Sequence, residues 1–488
     1  MDLKDEDSVV NRVQSTFKDP SISDIPDKYK KLQELELERH EIITSETKRY
    51  LEQLYRVNAT RQVHVPQVLI EGTELFRDSF LIKQIEPLIN QSSNIGSFLK
   101  NIDTVHNNLV KCGALENLVF QIDQQQSSTV LSIVPKIKIF PAKRFLAKTG
   151  TNVGNGEGDG YITIQYKNIF GGCENLIFDA TTGTRTRSSY LLNYNSPLRN
   201  NVHWRFDVSG FVNSRKIDWC SHEQTLKGLN LKVSGGEGLW KHEFSVENIL
   251  RGITNVKFQS SDLVKLQAGF DLKNSLVYKL TKDSRDDATL PTKGCYFQSS
   301  TEMSGLLHLT TSKFIKQNFE STFARSFNQA NQIINLNFKT GLLYTFNDKS
   351  HIMDRFNLGG PNDIRGFFYN GLGPRQYQDT LGGDVYFSSG ISLFQRIPGI
   401  FKDFHGTSNG LLGHGFINVG NLSSLNKDET VLENLTEVLG RPSITVGTGL
   451  VFKHPIARFE LNLVCPLVCH ASDERRVGIQ YGIGLSFM

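Results

Sequence analysis

The chain has 488 residues, with 54 Lys and Arg against 50 Asp and Glu, for a formal net charge of +4. A balance this even, with 21% of residues charged, excludes the broad basic surface of a nucleic-acid-binding protein. Aromatic residues make up 10% of the chain and 41 Gly accompany them, a mix that suits twisted strands and turns better than a helical bundle.

Residues 1–60 read as a charged N-terminal extension. Its start, Met1-Asp2-Leu3-Lys4-Asp5-Glu6-Asp7, is acidic. It has neither the basic and apolar regions of a secretory signal nor the arginines of a transit peptide. Positions 27–39 (DKYKKLQELELER) are dominated by charge, the pattern of a solvated helix or a disordered arm.

Residues 61–139 have a different texture. Val63 to Glu71 is a strand candidate that stops at Gly72. Leu81, Ile85, Leu88 and Ile89 share one helical face, and Ile95, Phe98, Leu99 and Ile102 share another that ends near Gly113. Asn117–Asp123 and Thr129–Phe140 follow as strands, so the segment predicts a small α+β module.

From about residue 141 the helical signal largely disappears and alternation takes over. Trp204, Phe206 and Val208 alternate with Arg205, Asp207 and Ser209. Ile334, Leu336, Phe338, Leu342 and Tyr344 alternate with polar or small residues. Phe459, Leu461 and Leu463 flank Glu460 and Asn462. At the end Ile479, Tyr481, Ile483, Leu485 and Phe487 interleave with Gln480, Gly482, Gly484 and Ser486. Period 2 with one apolar side means that each strand is wet on one face.

A soluble sandwich gives the same alternation, so length and number must decide. No run reaches the roughly 18 apolar residues of a membrane helix, whereas the segments approach the 9–11 residues of a membrane strand. At roughly 20 residues per strand and turn, residues 140–488 hold around sixteen to eighteen strands, and the expectation is a transmembrane β-barrel of about 16 antiparallel strands. Closure is required, because an open edge in lipid leaves backbone groups unpaired.

The six cysteines are scattered, and Cys465, Cys469 and His470 lack a second half-site for zinc. No H-E-x-x-H, P-loop or dinucleotide fingerprint occurs, and the Gly-rich 154–160 reads as a hairpin between strands. The expectation is a protein without cofactor, metal or catalytic residues.

The most informative stretch is Phe356-Asn357-Leu358-Gly359-Gly360-Pro361-Asn362-Asp363-Ile364-Arg365-Gly366-Phe367, followed by Gly371-Leu372-Gly373-Pro374-Arg375. It resembles the BamA-like outer-membrane insertase superfamily, whose hallmark is an arginine-glycine-phenylalanine loop folded back into the barrel. The resemblance makes Ile364, Arg365, Gly366 and Phe367 a lumenal lock. It places the wall partners of Arg365 at Phe416 and Asn418, where bacterial members usually carry Asp. A neutral amide offers one carbonyl acceptor, so a weaker lock is expected here.

Asp283-Ser284-Arg285-Asp286-Asp287, with Pro291-Thr292-Lys293-Gly294, also fits this superfamily and reads chemically as a polar turn. The C-terminal pattern of Gln480, Gly482, Leu485 and Phe487 resembles the mitochondrial β-signal. His454–Asn462 resembles the same branch, and residues 61–139 resemble a single POTRA domain.

The resemblance therefore implies a barrel subunit of the mitochondrial sorting and assembly machinery. Such a protein sits in the mitochondrial outer membrane with its POTRA domain in the intermembrane space. Its implied partners are β-barrel precursors bearing a C-terminal β-signal, peripheral accessory subunits and membrane lipids, with no nucleic acid. A bacterial- or plastid-type member of the superfamily is the alternative, and a metabolite porin or soluble β-rich enzyme lies further off.

The expected working part is the seam between the first strand (Thr149, Gly150, Thr151, Asn152, Val153) and the last (Gln480, Gly482, Gly484, Leu485, Phe487). Only there does strand pairing not follow sequence order, so only there can the wall open without parting neighbouring hairpins. An opened edge templates β-augmentation by a client strand.

Overall fold

The computed structural model describes residues 27–125, 131–154, 157–236, 238–305, 310, 312–327, 331–346, 350–397, 410–454, 457–484 and 487. Residues 1–26 of the extension, Gly156 of the Gly-rich hairpin, Pro455, Ile456 and Leu485 lie outside them. The side chains of Asn152 and Val153 do too.

The charged segment forms one long helix, α1 (Asp27–Asn58). The strand expected over 63–71 is two short ones, β1 (Val63–His64) and β2 (Leu69–Glu71), because Pro66 between them cannot donate to a ladder. Helices α2 (Asp78–Asn90) and α3 (Ile95–Lys111) follow, then β3 (Leu115–Gln125) and β4 (Leu131–Pro141). The four strands form one sheet in the order β1-β4-β2, with β3 also paired to β4. Gly72 closes β2 at φ +79°, where an added Cβ would meet the Ile139 carbonyl.

Backbone packing divides the chain into two compact units. One takes the described parts of residues 1–70, 85–107 and 120–137, and the other takes residues 71–84, 108–119 and 138–488. Leu88, Phe98, Val105 and Ile137 are fully buried in the first.

The second unit contains sixteen antiparallel strands. They begin with β5 (Phe145–Gly154), β6 (Glu157–Lys167), β7 (Asn175–Gly183), β8 (Thr186–Leu198), β9 (Asn201–Ile217) and β10 (His222–Gly235). After β11 (Trp240–Thr254) comes a short helix, α4 (Asp262–Leu266), then β12 (Gly269–Asp283), β13 (Gly294–Ser304), β14 (Phe314–Phe327) and β15 (Gln332–Thr345). A long loop carries the small hairpin β16 (Arg375–Gln376) and β17 (Asp379–Thr380). The wall resumes with β18 (Val385–Arg396) and β19 (Leu411–Ser423), a helix α5 (Val431–Gly440), β20 (Ser443–Lys453), β21 (Arg458–Val468) and β22 (Gly478–Gly484). Each strand pairs with its neighbour in the wall, and β5 and β22 stand at the two ends of the strand order.

The side chains sort as the alternation requires. On β21 Phe459, Leu461 and Leu463 are exposed on the lipid side, while Arg458, Glu460 and Asn462 are buried toward the lumen. On β15 Leu336 and Phe338 face outward, and Asn335 and Asn337 inward. The architecture is a sixteen-stranded transmembrane β-barrel wall with an α+β segment before it. Lumenal filling comes largely from the loop between β15 and β18, whose Phe356, Leu358, Ile364, Phe367 and Leu372 join Phe314, Leu343, Tyr386 and Leu422 in one apolar cluster.

Phe487 departs from the alternation. By period 2, Phe487 would face lipid with Ile479, Tyr481 and Ile483. It is instead buried, with its ring beside Gly482 and Gly484 on the inner side. Helix α5 is a second departure. It covers Val385 and Phe387 with Val438, and Asn421 Nδ2 donates to the carbonyls of Val438 (3.0 Å) and Arg441 (2.9 Å).

Candidate functional site: the tip of the lumenal loop

Two isolated bridges, Phe356 with Gly383 and Leu358 with Leu372, fold the loop on itself. They leave residues 359–371 as a tip. Backbone bonds then dock the tip on the segment between β21 and β22. Phe368 N–H donates to Glu474 O (3.0 Å), Glu474 N–H to Gly371 O (2.7 Å) and Arg476 N–H to Gly366 O (2.8 Å).

Gln480 completes the contact from the inner face of β22. Its Oε1 accepts from Gly366 N–H at 3.0 Å, and its Nε2 donates to Phe367 O at 3.1 Å. One amide side chain thus serves as both donor and acceptor to the tip, which neither Glu nor Ala at this place could do. Gly366 has φ +87°, and a Cβ there would lie 2.9 Å from Thr445 Cγ2, so both its conformation and its closeness to the wall call for glycine.

Ile364 and Phe367 are fully buried on either side of Arg365 in the chain. Ile364 fits over Gly420, where an added Cβ would collide with its Cδ1. Arg365 is itself fully buried. Its Nε and Nη2 donate to the two carboxylate oxygens of Glu460 at 2.9 and 3.1 Å, and its Nη1 donates to Asn418 Oδ1 at 3.3 Å. The guanidinium lies 4.8 Å from the centre of the Phe416 ring and 5.9 Å from that of Phe487. The structure therefore brings together Arg365, Phe416, Asn418, Gln480 and Phe487.

Glu460 was missing from the sequence-based set, and it supplies the carboxylate that Asn418 lacks. The signal was present: a carboxylate between Phe459 and Leu461 on a lipid-facing strand must point inward, and a buried carboxylate needs a cation. Glu460 also meets Arg458 Nη2, and it accepts from Asn462 Nδ2 at 2.7 Å. Arg458 stacks between Phe394 and Phe487, 4.7 Å from each ring centre. Around one carboxylate are thus two guanidiniums, held by rings on their open faces. Removing one member of such a buried pair costs about 3–5 kcal/mol.

The glycines of β22 have a local reason. A Cβ on Gly482 would lie 3.0 to 3.2 Å from Phe487, Asn362 and Pro361, and one on Gly484 would lie 2.9 Å from Asn362. Asn362 Nδ2 also donates to Ile483 O at 3.3 Å. The bare inner surface of β22 is where the turn of the tip fits.

The first-strand residues lie elsewhere. Thr149 Oγ1 donates to Tyr161 O (3.1 Å), and the Tyr161 ring covers Gly150, its partner in register. Thr151, Asn152 and Val153 pair with Gly160, Asp159 and Gly158 of β6. Among the described residues no ladder joins them to β22. At the polar turn after β12, Arg285 forks onto Asp283 (3.0 and 2.8 Å), and Asp287 pairs with Lys453 at 2.5 Å.

A family model described as the Omp85 superfamily domain matches residues 168–487. A SAM50-like protein of Schizosaccharomyces pombe is 31% identical over 466 residues, covering 92% of this chain and 96% of that protein. The sorting assembly machinery 50 kDa subunit of Saccharomyces cerevisiae is 30% identical over 479 residues, covering 88% and 95%. Among solved structures, BamA from Haemophilus ducreyi lacking POTRA domains 1–3 superposes with a TM-score of 0.70 at 15% identity, over 87% of this chain and 84% of that one. That likeness concerns the fold. The chain belongs to the Omp85 superfamily and, within it, to the family of the sorting and assembly machinery 50 kDa subunits.

Proposed function

We propose that this protein folds β-barrel precursors and inserts them into the mitochondrial outer membrane by parting β5 from β22. The observation that carries the reading is the seat of the loop tip. Gly366, Phe367 and Asn362 all bond to β22, a strand at the end of the wall order, and Arg365 bonds to its neighbour β21. A tip fastened there keeps β22 in place, and in this reading its release lets β22 move relative to β5.

The freed edge offers backbone N–H and C=O groups to the β-signal strand of a client. Burial of the client's apolar band in lipid drives the transfer without a nucleotide. In this reading residues 61–139 are a POTRA domain in the intermembrane space, and accessory subunits and lipids surround the barrel. The names of the relatives at 31% and 30% identity favour the sorting and assembly role over a bacterial- or plastid-type transporter.

Cysteine pairs between Thr149–Thr151 and Tyr481–Ile483, joined in purified mitochondria, test the seam. Joined barrels are expected to lose client insertion and to regain it on reduction. Insertion of porin precursors at the normal rate by joined barrels would overturn lateral opening.

A further inference from the structure

The base of the same loop is fastened by a second buried arginine, and here the charges are exchanged. At the tip the loop supplies the cation and the wall the carboxylate. At the base the wall supplies Arg251 on β11, and the loop supplies Asp354, both nearly inaccessible to solvent. Arg251 Nη1 donates to both oxygens of Asp354 at 2.7 Å, while Nε and Nη2 donate to Asp271 Oδ2 on β12 at 3.0 and 2.7 Å. Lys316 on β14 donates from Nζ to the Asp354 carbonyl at 2.7 Å and lies 4.5 Å from the centre of the Phe356 ring.

Other bonds hold the same region. Ile352 N–H donates to Gln267 Oε1 at 2.9 Å, and Gln267 Nε2 donates to Ser350 O at 3.2 Å. On the returning arm Asp379 Oδ2 accepts from Ser261 N–H at 2.7 Å, just before α4. Ile352 is also buried in an apolar cluster of its own with Ile217, Ile253 and Val264.

Tip and base therefore sit on different walls. The tip is on β19, β21 and β22, and the base is on β11, β12 and β14, in the middle of the strand order and remote from both of its ends. If the terminal strands move, both attachments cannot persist unless the chain between them yields. That chain contains Gly359 and Gly360, consecutive at φ +106° and +131°, a region closed to most side chains. Few-residue glycine segments between fixed bodies are where large backbone changes are absorbed.

We propose that Arg251 and Asp354 are positioning residues that keep the base of the loop stationary on the β11–β14 wall while the tip, hinged at Gly359–Gly360, leaves Glu460 and β22. The inference rests on the reading that the tip is released during insertion.

The test uses the full chain in mitochondria with its native cysteines replaced. One variant carries Gln267→Cys and Ile352→Cys, the other Phe368→Cys and Glu474→Cys, each pair joined by a short bifunctional thiol reagent. Joining the base is expected to leave client assembly within about twofold of the unjoined chain, and joining the tip to slow it at least about tenfold. If joining the base slows assembly as much as joining the tip, the base must move and the inference is overturned while the tip reading stands. If neither joint slows assembly, tip release fails, and the inference with it. Asp354→Asn supplies an independent readout: assembly falls severalfold, residues 350–358 become protease-sensitive, and joining Gln267→Cys to Ile352→Cys restores the rate. A fall that the joint does not restore would show that Asp354 serves barrel folding rather than loop position.

Discussion

The ends of the strand order and its middle are built differently. Strands β9 to β12 have 17, 14, 15 and 15 residues, whereas β5 has 10, β7 has 9 and the described β22 has 7. Every ladder position adds backbone bonds that lipid cannot replace, so long strands commit the middle of the wall to staying closed. At the ends the described ladders are shorter, ten pairs between β5 and β6 and seven between β21 and β22. There the loop tip fills the bare inner face of β22 and bonds to it through Gly366, Phe367 and Asn362. The contrast is that β22 is short and carries the loop tip on its inner face, whereas the middle of the wall pairs over long ladders and carries the base of the loop.

The sharpest way to break that contrast is to fasten each side covalently. A disulfide at the seam is expected to lower client insertion at least about tenfold. One between Leu229→Cys of β10 and Asn248→Cys of β11, opposite each other in register, should leave it unchanged. Equal losses in an insertion assay would show that the far wall also moves.

Next in size is Glu460→Ala, which strands Arg365 and should destabilise the docked tip by about 3–5 kcal/mol. Proteolysis at residues 359–371 measures it, with the barrel still in the membrane. Asn418→Ala removes only a neutral acceptor and should cost about 1 kcal/mol in the same assay. A larger loss at Asn418 than at Glu460 would reverse the assignment.

Gly482→Val should push Asn362 and Phe487 off β22, at about 1–3 kcal/mol, and show as a loosened tip. A smaller effect is expected of Phe487→Leu, which keeps most of the apolar volume but removes one ring from Arg365 and Arg458 and should cost about 0.5–2 kcal/mol. Thermal melting of the detergent-solubilised barrel, compared with Gly482→Val, ranks the two.

Much of this architecture was legible from period and punctuation. Alternation at 334–344 and 459–463 marked strands with one lipid face, and Gly72 and Gly113 marked true element ends. Arg365 was legible through the resemblance of Ile364-Arg365-Gly366-Phe367 to the superfamily's loop, and a buried guanidinium needs acceptors. The resemblance pointed to Asn418, which does accept from Arg365, but not to the carboxylate of Glu460, which only the alternation turns inward. Helix α5 escaped because its apolar residues Leu435 and Val438 cover a rim that only the folded wall creates. Phe487 was misplaced for a related reason. Period 2 specifies a face only by pattern, and the Phe487 ring finds better partners in the guanidiniums of Arg365 and Arg458 than in lipid.

The lock around Arg365 also constrains how this chain itself reaches its native state. Its contacts span long stretches of sequence: 53 residues to Asn418, 95 to Glu460 and 114 from Gly366 to Gln480. Hairpins between adjacent strands close over far shorter loops, and contacts of large sequence separation form later because more chain entropy is lost before they form. The tip has no seat until β21 and β22 are both in the wall. Docking of the tip is therefore expected to follow the entry of β21 and β22 into the wall, and a chain arrested before it would have its hairpins and an unseated tip.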